Sequence, residues 1–291
     1  MARILFTADL EDGNIFSSFG LAKQLRQKGH DVVYVGVSDA EPVISAEGFG
    51  FFPLLQSSYP TGSKYSTGSF MCIAESRGVL CQLLMAKGAE LDLMMKALSP
   101  SLIVVPPYLA LESLILHLRY QLPAVHLRCA YIVESREEAI SRSCNEILEN
   151  NVFASDISAF LAEHGIDSDD LPALANRIAS FPELVTLPEG YEPTSDPIRP
   201  NTYFIGATTD TLRKEGPFDW TLVDQNRHLI YCTLGSQSHR DAARSETFFR
   251  AVLDAVDGCD DWFLVMSVEK EMPANTLTYH EILTSWSGHH S

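Results

Sequence analysis

An α/β fold built on a doubly wound parallel sheet is what this chain predicts, and three observations predict it. Strand-length runs alternate with helix-length runs from the first residues onward, the βαβ rhythm of such sheets. The opening strand run is almost wholly apolar, as a strand covered on both faces must be. No internal repeat or low-complexity tract interrupts the alternation.

In order, Ile4 to Thr7 reads as the first strand, Phe16 to Gln27 as a helix, and Asp31 to Val37 as the second strand. Lys28 in the last turn and Gly29 just past it supply C-terminal helix chemistry. The segment from Phe70 to Leu98 carries Val79, Leu80, Leu83, Leu84, Leu91, Met94 and Met95 with no proline, so long helices are expected there. From Ser135 to Ser180 the pattern is helical and acidic, with Asp156, Asp167 and Asp169 expected as N-caps. Asp167-Ser168-Asp169-Asp170 lacks the glycine and distal glutamate of a calcium loop and reads as a solvated turn. Five prolines between Pro182 and Pro200 mark a connector, because proline cannot enter a sheet interior. The expected organisation is a first domain over 1–185, a linker over 186–217 and a second domain over 218–291 that begins in earnest at His228.

Composition narrows the function classes. With 291 residues and 46% hydrophobic content the chain can fill two average domains. A net charge of −17 argues against nucleic acid and anionic membranes, whose phosphates demand clustered Lys and Arg. The most apolar window, Leu102 to Leu118, is broken by Pro106-Pro107, Glu112 and His117, so no membrane span is expected. Met1 to Leu10 reads as a buried strand rather than a secretory leader, and a cytoplasmic location follows as an expectation. Six cysteines show no CxxC or Cys/His spacing, which points to free thiols and to no metal.

The opening Arg3-Ile-Leu-Phe-Thr-Ala-Asp-Leu-Glu-Asp-Gly13-Asn14, with the helix and second strand after it, resembles the start of the UDP-glycosyltransferase family, the two-domain GT-B enzymes. Further pieces follow in family order. Gly48 to Leu54 looks like its third strand, Pro100 to Val105 its fourth and Leu122 to Val125 its fifth. Asn201 to Gly206 looks like the short strand before the second domain, and Leu229 to Ser236 like the strand and phosphate-facing turn that open that domain. The resemblance implies a Rossmann-like parallel sheet with helices on both faces and strands near Ile4, Val32, Phe51, Ile103 and Val125. It further implies inverting transfer of a hexose from a UDP- or dTDP-sugar, a co-substrate rather than a cofactor, to a hydroxyl of an apolar small molecule.

The family's catalytic base is a histidine directly after the loop glycine, oriented by an aspartate near the fourth strand. A neutral imidazole can take the acceptor's proton, and a carboxylate fixes its tautomer. Here Asn14 stands at the histidine and Pro106 at the aspartate. A two-residue slide puts Phe16 at the base position, and the first histidine in the chain is His30. Asp9, Glu11 and Asp12 share the loop; Glu11 and Asp12 are substitute bases if that loop is more than a solvated acidic turn. His126, at the end of the fifth strand, is either an acceptor-side group or a structural histidine. On the donor side Gly235 and Ser236 match the phosphate turn, and Trp262 to Ser267 matches the next strand.

Beyond Ser267 the family's His-Gly-Gly donor loop has no counterpart. His280, His289 and His290 read as a polar terminus. The second domain is therefore expected to be incomplete, with two apolar strands that favour a homo-oligomer or a full-length homologue as partner. The alternative to a transferase is a catalytically silent protein that keeps the acceptor cleft. A shortened gene product is a third reading.

Overall fold

A computed structural model describes residues 1–8, 12–56, 59–62, 73–86, 90–130, 134–191, 198–208, 218–235 and 242–268. The chain divides into two compact units, Met1–Asp210 and Thr211–Ser291.

The first unit carries β1 (Arg3–Ala8), α1 (Asp12–Gln27), β2 (Asp31–Gly36), α2 (Glu41–Ala46), β3 (Gly50–Pro53), α3 (Ile73–Met85), α4 (Glu90–Leu98) and β4 (Leu102–Val105). It continues with α5 (Ala110–Tyr120), β5 (Ala124–Arg128), α6 (Arg136–Asn150), α7 (Ala154–Glu163), α8 (Leu171–Ala179), β6 (Glu183–Val185) and β7 (Thr202–Phe204). Seven strands form one sheet in the order β3-β2-β1-β4-β5-β6-β7, every pair parallel. The strand order turns back on itself between β1 and β4.

The period-two alternation of the strands divides the core. Ile4, Phe6, Ala8, Val32, Tyr34 and Val104 pack on one face against Ile15, Phe19 and Ala22 of α1 and Ile44 of α2. Leu5, Val35, Ile103 and Val105 pack on the other against residues of α3 to α8. The first core is aromatic: Phe19 and Phe49 stack with ring centroids 6.0 Å apart, and Tyr34 lies 5.3 Å from Phe49. The Tyr34 hydroxyl, buried with them, meets Ser18 Oγ at 2.7 Å. Helices thus cover both faces, as the sequence predicts.

The five strands expected near Ile4, Val32, Phe51, Ile103 and Val125 are present, β7 falls in the short strand expected over Asn201 to Gly206, and β6 is the addition between them. The unit boundary at Asp210 falls inside the stretch expected as a linker, and Thr202–Phe204 of that stretch pairs with β6 as the seventh strand. The helix caps also differ from expectation. Ser135 caps α6 through a capping box with Glu138, and the Asp170 side chain accepts from Ala173 N at the start of α8. Asp156 lies inside the first turn of α7, and Asp167 closes a local turn onto the backbone N–H of Asp169 at 3.0 Å. Gly29 ends α1 at φ 85°, with its N–H bonded to Arg26 O, as expected.

One packing contact yields a prediction. Thr208 lies on α1, its hydroxyl donating to Ser17 O at 2.6 Å, and a Cβ added at Gly20 would overlap the Thr208 carbonyl oxygen. Gly20→Ala is expected to cost about 1–3 kcal/mol, because backbone rather than a flexible side chain must yield. A denaturation midpoint unchanged from the parent would show that this segment lifts off without loss.

The second unit contains β8 (His228–Thr233), α9 (Ala242–Val256) and β9 (Trp262–Ser267), a βαβ arrangement with β8 and β9 parallel in the register His228↔Trp262. Phe249, Val265 and Met266 are buried, whereas Leu229 and Tyr231 of β8 are exposed.

Candidate functional site

In an open parallel sheet, ligands bind beyond the carboxyl ends of the strands where the strand order reverses. Here that point lies between β1 and β4, and three polar side chains meet beside it. Asn14, in the first turn of α1, follows β1. Tyr108 sits in the turn after β4, closed by the Leu109 N–H donating to Pro106 O at 3.0 Å. Cys129 directly follows β5. Asn14 Nδ2 donates to the Tyr108 hydroxyl at 3.1 Å, and Cys129 Sγ donates to Asn14 Oδ1 at 3.1 Å. The Asn14 side chain is thus an amide engaged at both ends.

Pro106 is buried and offers no polar atom to Asn14. The group that reaches Asn14 from this loop is Tyr108, two residues on. Neither Tyr108 nor Cys129 was among the expected site residues. They lie 94 and 115 positions from Asn14, and the sheet order alone brings them together. Glu11, like Asp9, lies outside the described residues; Asp12 is the first residue of α1.

His126 resolves to a core residue. It is 0% exposed, in the middle of β5, with its ring edge-on to Phe181 at 5.8 Å. Arg136 Nη2 donates to its Nδ1 at 3.1 Å, which leaves the proton on Nε2 to be donated to Ser113 Oγ at 2.9 Å. Ser113 in turn donates to Ala110 O at 2.7 Å. Burial, and secondarily the charge of Arg136, pull the imidazole down to about 3, so it stays neutral. It presents no free nitrogen to an acceptor, because it lies inside β5, a strand covered on both faces, rather than at its carboxyl end.

Beneath the site, Arg77 of α3 and Glu112 of α5 form a buried two-bond pair, with Nε to Oε1 at 2.8 Å and Nη2 to Oε2 at 2.7 Å. Arg77 Nη1 also donates to Ser143 Oγ at 2.7 Å, and Ser143 donates to the Tyr108 carbonyl at 3.4 Å. The buried pair therefore supports the loop that carries Tyr108. Burial pushes the neighbouring thiols up, Cys144 to about 12 and Cys81 also well above its usual value, so both are unreactive.

In the second unit Gly235 follows β8 at φ 72°, a conformation that favours glycine, and its N–H donates to Thr233 Oγ1 at 3.0 Å. Ser236 lies outside the described residues, as do His280, His289 and His290. Among the described residues no group of three or more His, Cys, Asp or Glu could hold a metal ion, and no helix is long and apolar enough to cross a membrane.

No family model and no curated protein matches the sequence. Solved structures do match. The glycosyltransferase of kitacinnamycin aligns over 94% of this chain and 67% of its own at 15% identity, with a TM-score of 0.64. The calicheamicin glycosyltransferase CalG4 aligns over 92% and 64% at 20% identity, TM-score 0.61. The spinosyn rhamnosyltransferase SpnG aligns over 98% and 70% at 15% identity, TM-score 0.63, and has also been solved with thymidine diphosphate and with spinosyn aglycone. The chain spans about two thirds of the length of these proteins. Sheet order, helices on both faces and these likenesses together show that the chain has the fold of GT-B glycosyltransferases.

Proposed function

We propose that this chain binds an apolar, hydroxylated small molecule at the carboxyl ends of β1, β4 and β5, and does not by itself transfer hexose to it at the rate of a histidine-based enzyme. The observation that carries this reading is Asn14. Sugar transfer to a hydroxyl requires a group that takes the hydroxyl proton as the new C–O bond forms, and an amide cannot do so at neutral pH. Loss of a general base alone costs roughly 10² to 10⁴ in rate, about 3–5 kcal/mol of barrier. The aglycone bound by the spinosyn enzyme supports the ligand class, and its thymidine diphosphate supports a dTDP- or UDP-hexose as the donor of any residual transfer.

The test is a paired assay on the purified chain. Ligand-observed NMR with macrolide and flavonoid aglycones is expected to show saturable binding, while mass spectrometry with UDP-glucose or dTDP-glucose shows no multiple turnovers. Asn14→His is expected to leave turnover absent, because Pro106 gives the new imidazole no carboxylate and groups that act as a unit contribute little singly. Multiple turnovers by the parent, abolished by Asp12→Asn or Glu11→Gln, would overturn the silent reading and make a loop carboxylate the base.

A further inference from the structure

The hydrogen bonds around Asn14 have a direction, and that direction bears on which ligand atom the site accepts. The Asn14 carbonyl oxygen takes the Cys129 thiol proton, so the other end of the amide, Nδ2, is the end that faces Tyr108 and must donate. The Tyr108 phenolic oxygen is therefore the acceptor in this pair. Its own proton is left over. Tyr108 is 37% exposed, and among the described residues its side chain makes no other hydrogen bond. The loop beneath is held by the Pro106–Leu109 turn and by Ser143, so the phenol is presented from a fixed backbone.

We infer that Tyr108 is a specificity-determining hydrogen-bond donor, and that this site selects apolar small molecules presenting an acceptor oxygen to it, a ketone or lactone carbonyl. This rests on the reading that a small molecule binds at Asn14, and refines it. Where a basic imidazole would take a proton from its ligand, the Cys129–Asn14–Tyr108 chain runs the other way and ends by giving one out. A carbonyl accepts that bond, whereas a skeleton without an oxygen at that place leaves the phenol proton unpaired against the ligand. A single hydrogen bond of this kind is worth about three- to tenfold in affinity.

Flavanone and flavan, which share a saturated skeleton and differ in the ring carbonyl, serve as probes. Titration calorimetry on the parent, Tyr108→Phe and Asn14→Asp gives the flavanone-to-flavan affinity ratio for each. The ratio is expected to be about three- to tenfold higher in the parent than in Tyr108→Phe. Asn14→Asp is expected to lose the preference as well, since its carboxylate draws the Tyr108 proton inward. The infrared carbonyl stretch of ¹³C-labelled flavanone should move to lower wavenumber on the parent and not on Tyr108→Phe, a signature that a purely structural tyrosine would not give. An affinity ratio unchanged by Tyr108→Phe overturns the inference and leaves small-molecule binding standing. Failure of the parent to bind either probe, or any aglycone, overturns both.

Discussion

Arg77→Met is expected to lower stability by about 3–5 kcal/mol, the cost of leaving a buried carboxylate without its counter-ion. Glu112 is 1% exposed, and both of its carboxylate oxygens are bonded to the Arg77 guanidinium. Methionine fills part of the space but donates nothing, so Glu112 must remain charged and unpaired or take up a proton. The double variant Arg77→Met, Glu112→Leu is expected to recover most of the loss, since apolar side chains of similar volume often replace a buried pair at little cost. Urea unfolding followed by circular dichroism gives the comparison. A single variant within 1 kcal/mol of the parent would mean that water reaches Glu112 and that the pair is not truly desolvated.

The second large effect is in acid. His126 is neutral in the folded protein, held down to about 3, whereas an unfolded histidine titrates near 6.5. Below about pH 6.5 the unfolded chain therefore binds a proton that the folded chain refuses. The stability due to this residue is fully present above that pH and falls by up to about 1.4 kcal/mol per pH unit down to about pH 3. His126→Gln removes the titrating group, so its stability should fall less steeply over the same window, whatever its value at pH 7. Parallel curves for parent and variant between pH 6.5 and 4 would show that other groups govern the acid limb.

How much of this was legible in the sequence depends on what each residue's neighbours had to supply. The runs at Ile4 and Val32 declared themselves, because a strand covered on both faces has no polar side to disguise it. Glu183–Val185 did not: it is three residues long between Pro182 and Pro188, and only the open edge beyond β5 makes a strand of it, whereas Thr202–Phe204 was legible only through the resemblance of Asn201 to Gly206. Asn14 was legible by its place after a strand and a glycine. Tyr108 and Cys129 were not, since nothing local distinguishes a tyrosine after two prolines or a cysteine after an arginine. His126 was legible as a residue of the fifth strand, but not its burial in mid-strand, which the pairing with β6 and the packing of Phe181 and Arg136 decide.

The reversal of strand order between β1 and β4 also governs when the sheet can form. Thr7 and Val104, which bond across those two strands, are 97 positions apart, so the central pairing waits on closure of a very long loop. During synthesis β1 can find β2 almost at once, while its other edge stays open until the fourth strand has left the ribosome. Through that interval Ile4, Leu5 and Phe6 form an apolar strand with one unpaired edge. The nascent chain should therefore be most prone to self-association, and most dependent on chaperones, at lengths short of about Val105, and should lose that tendency abruptly once β4 closes the gap.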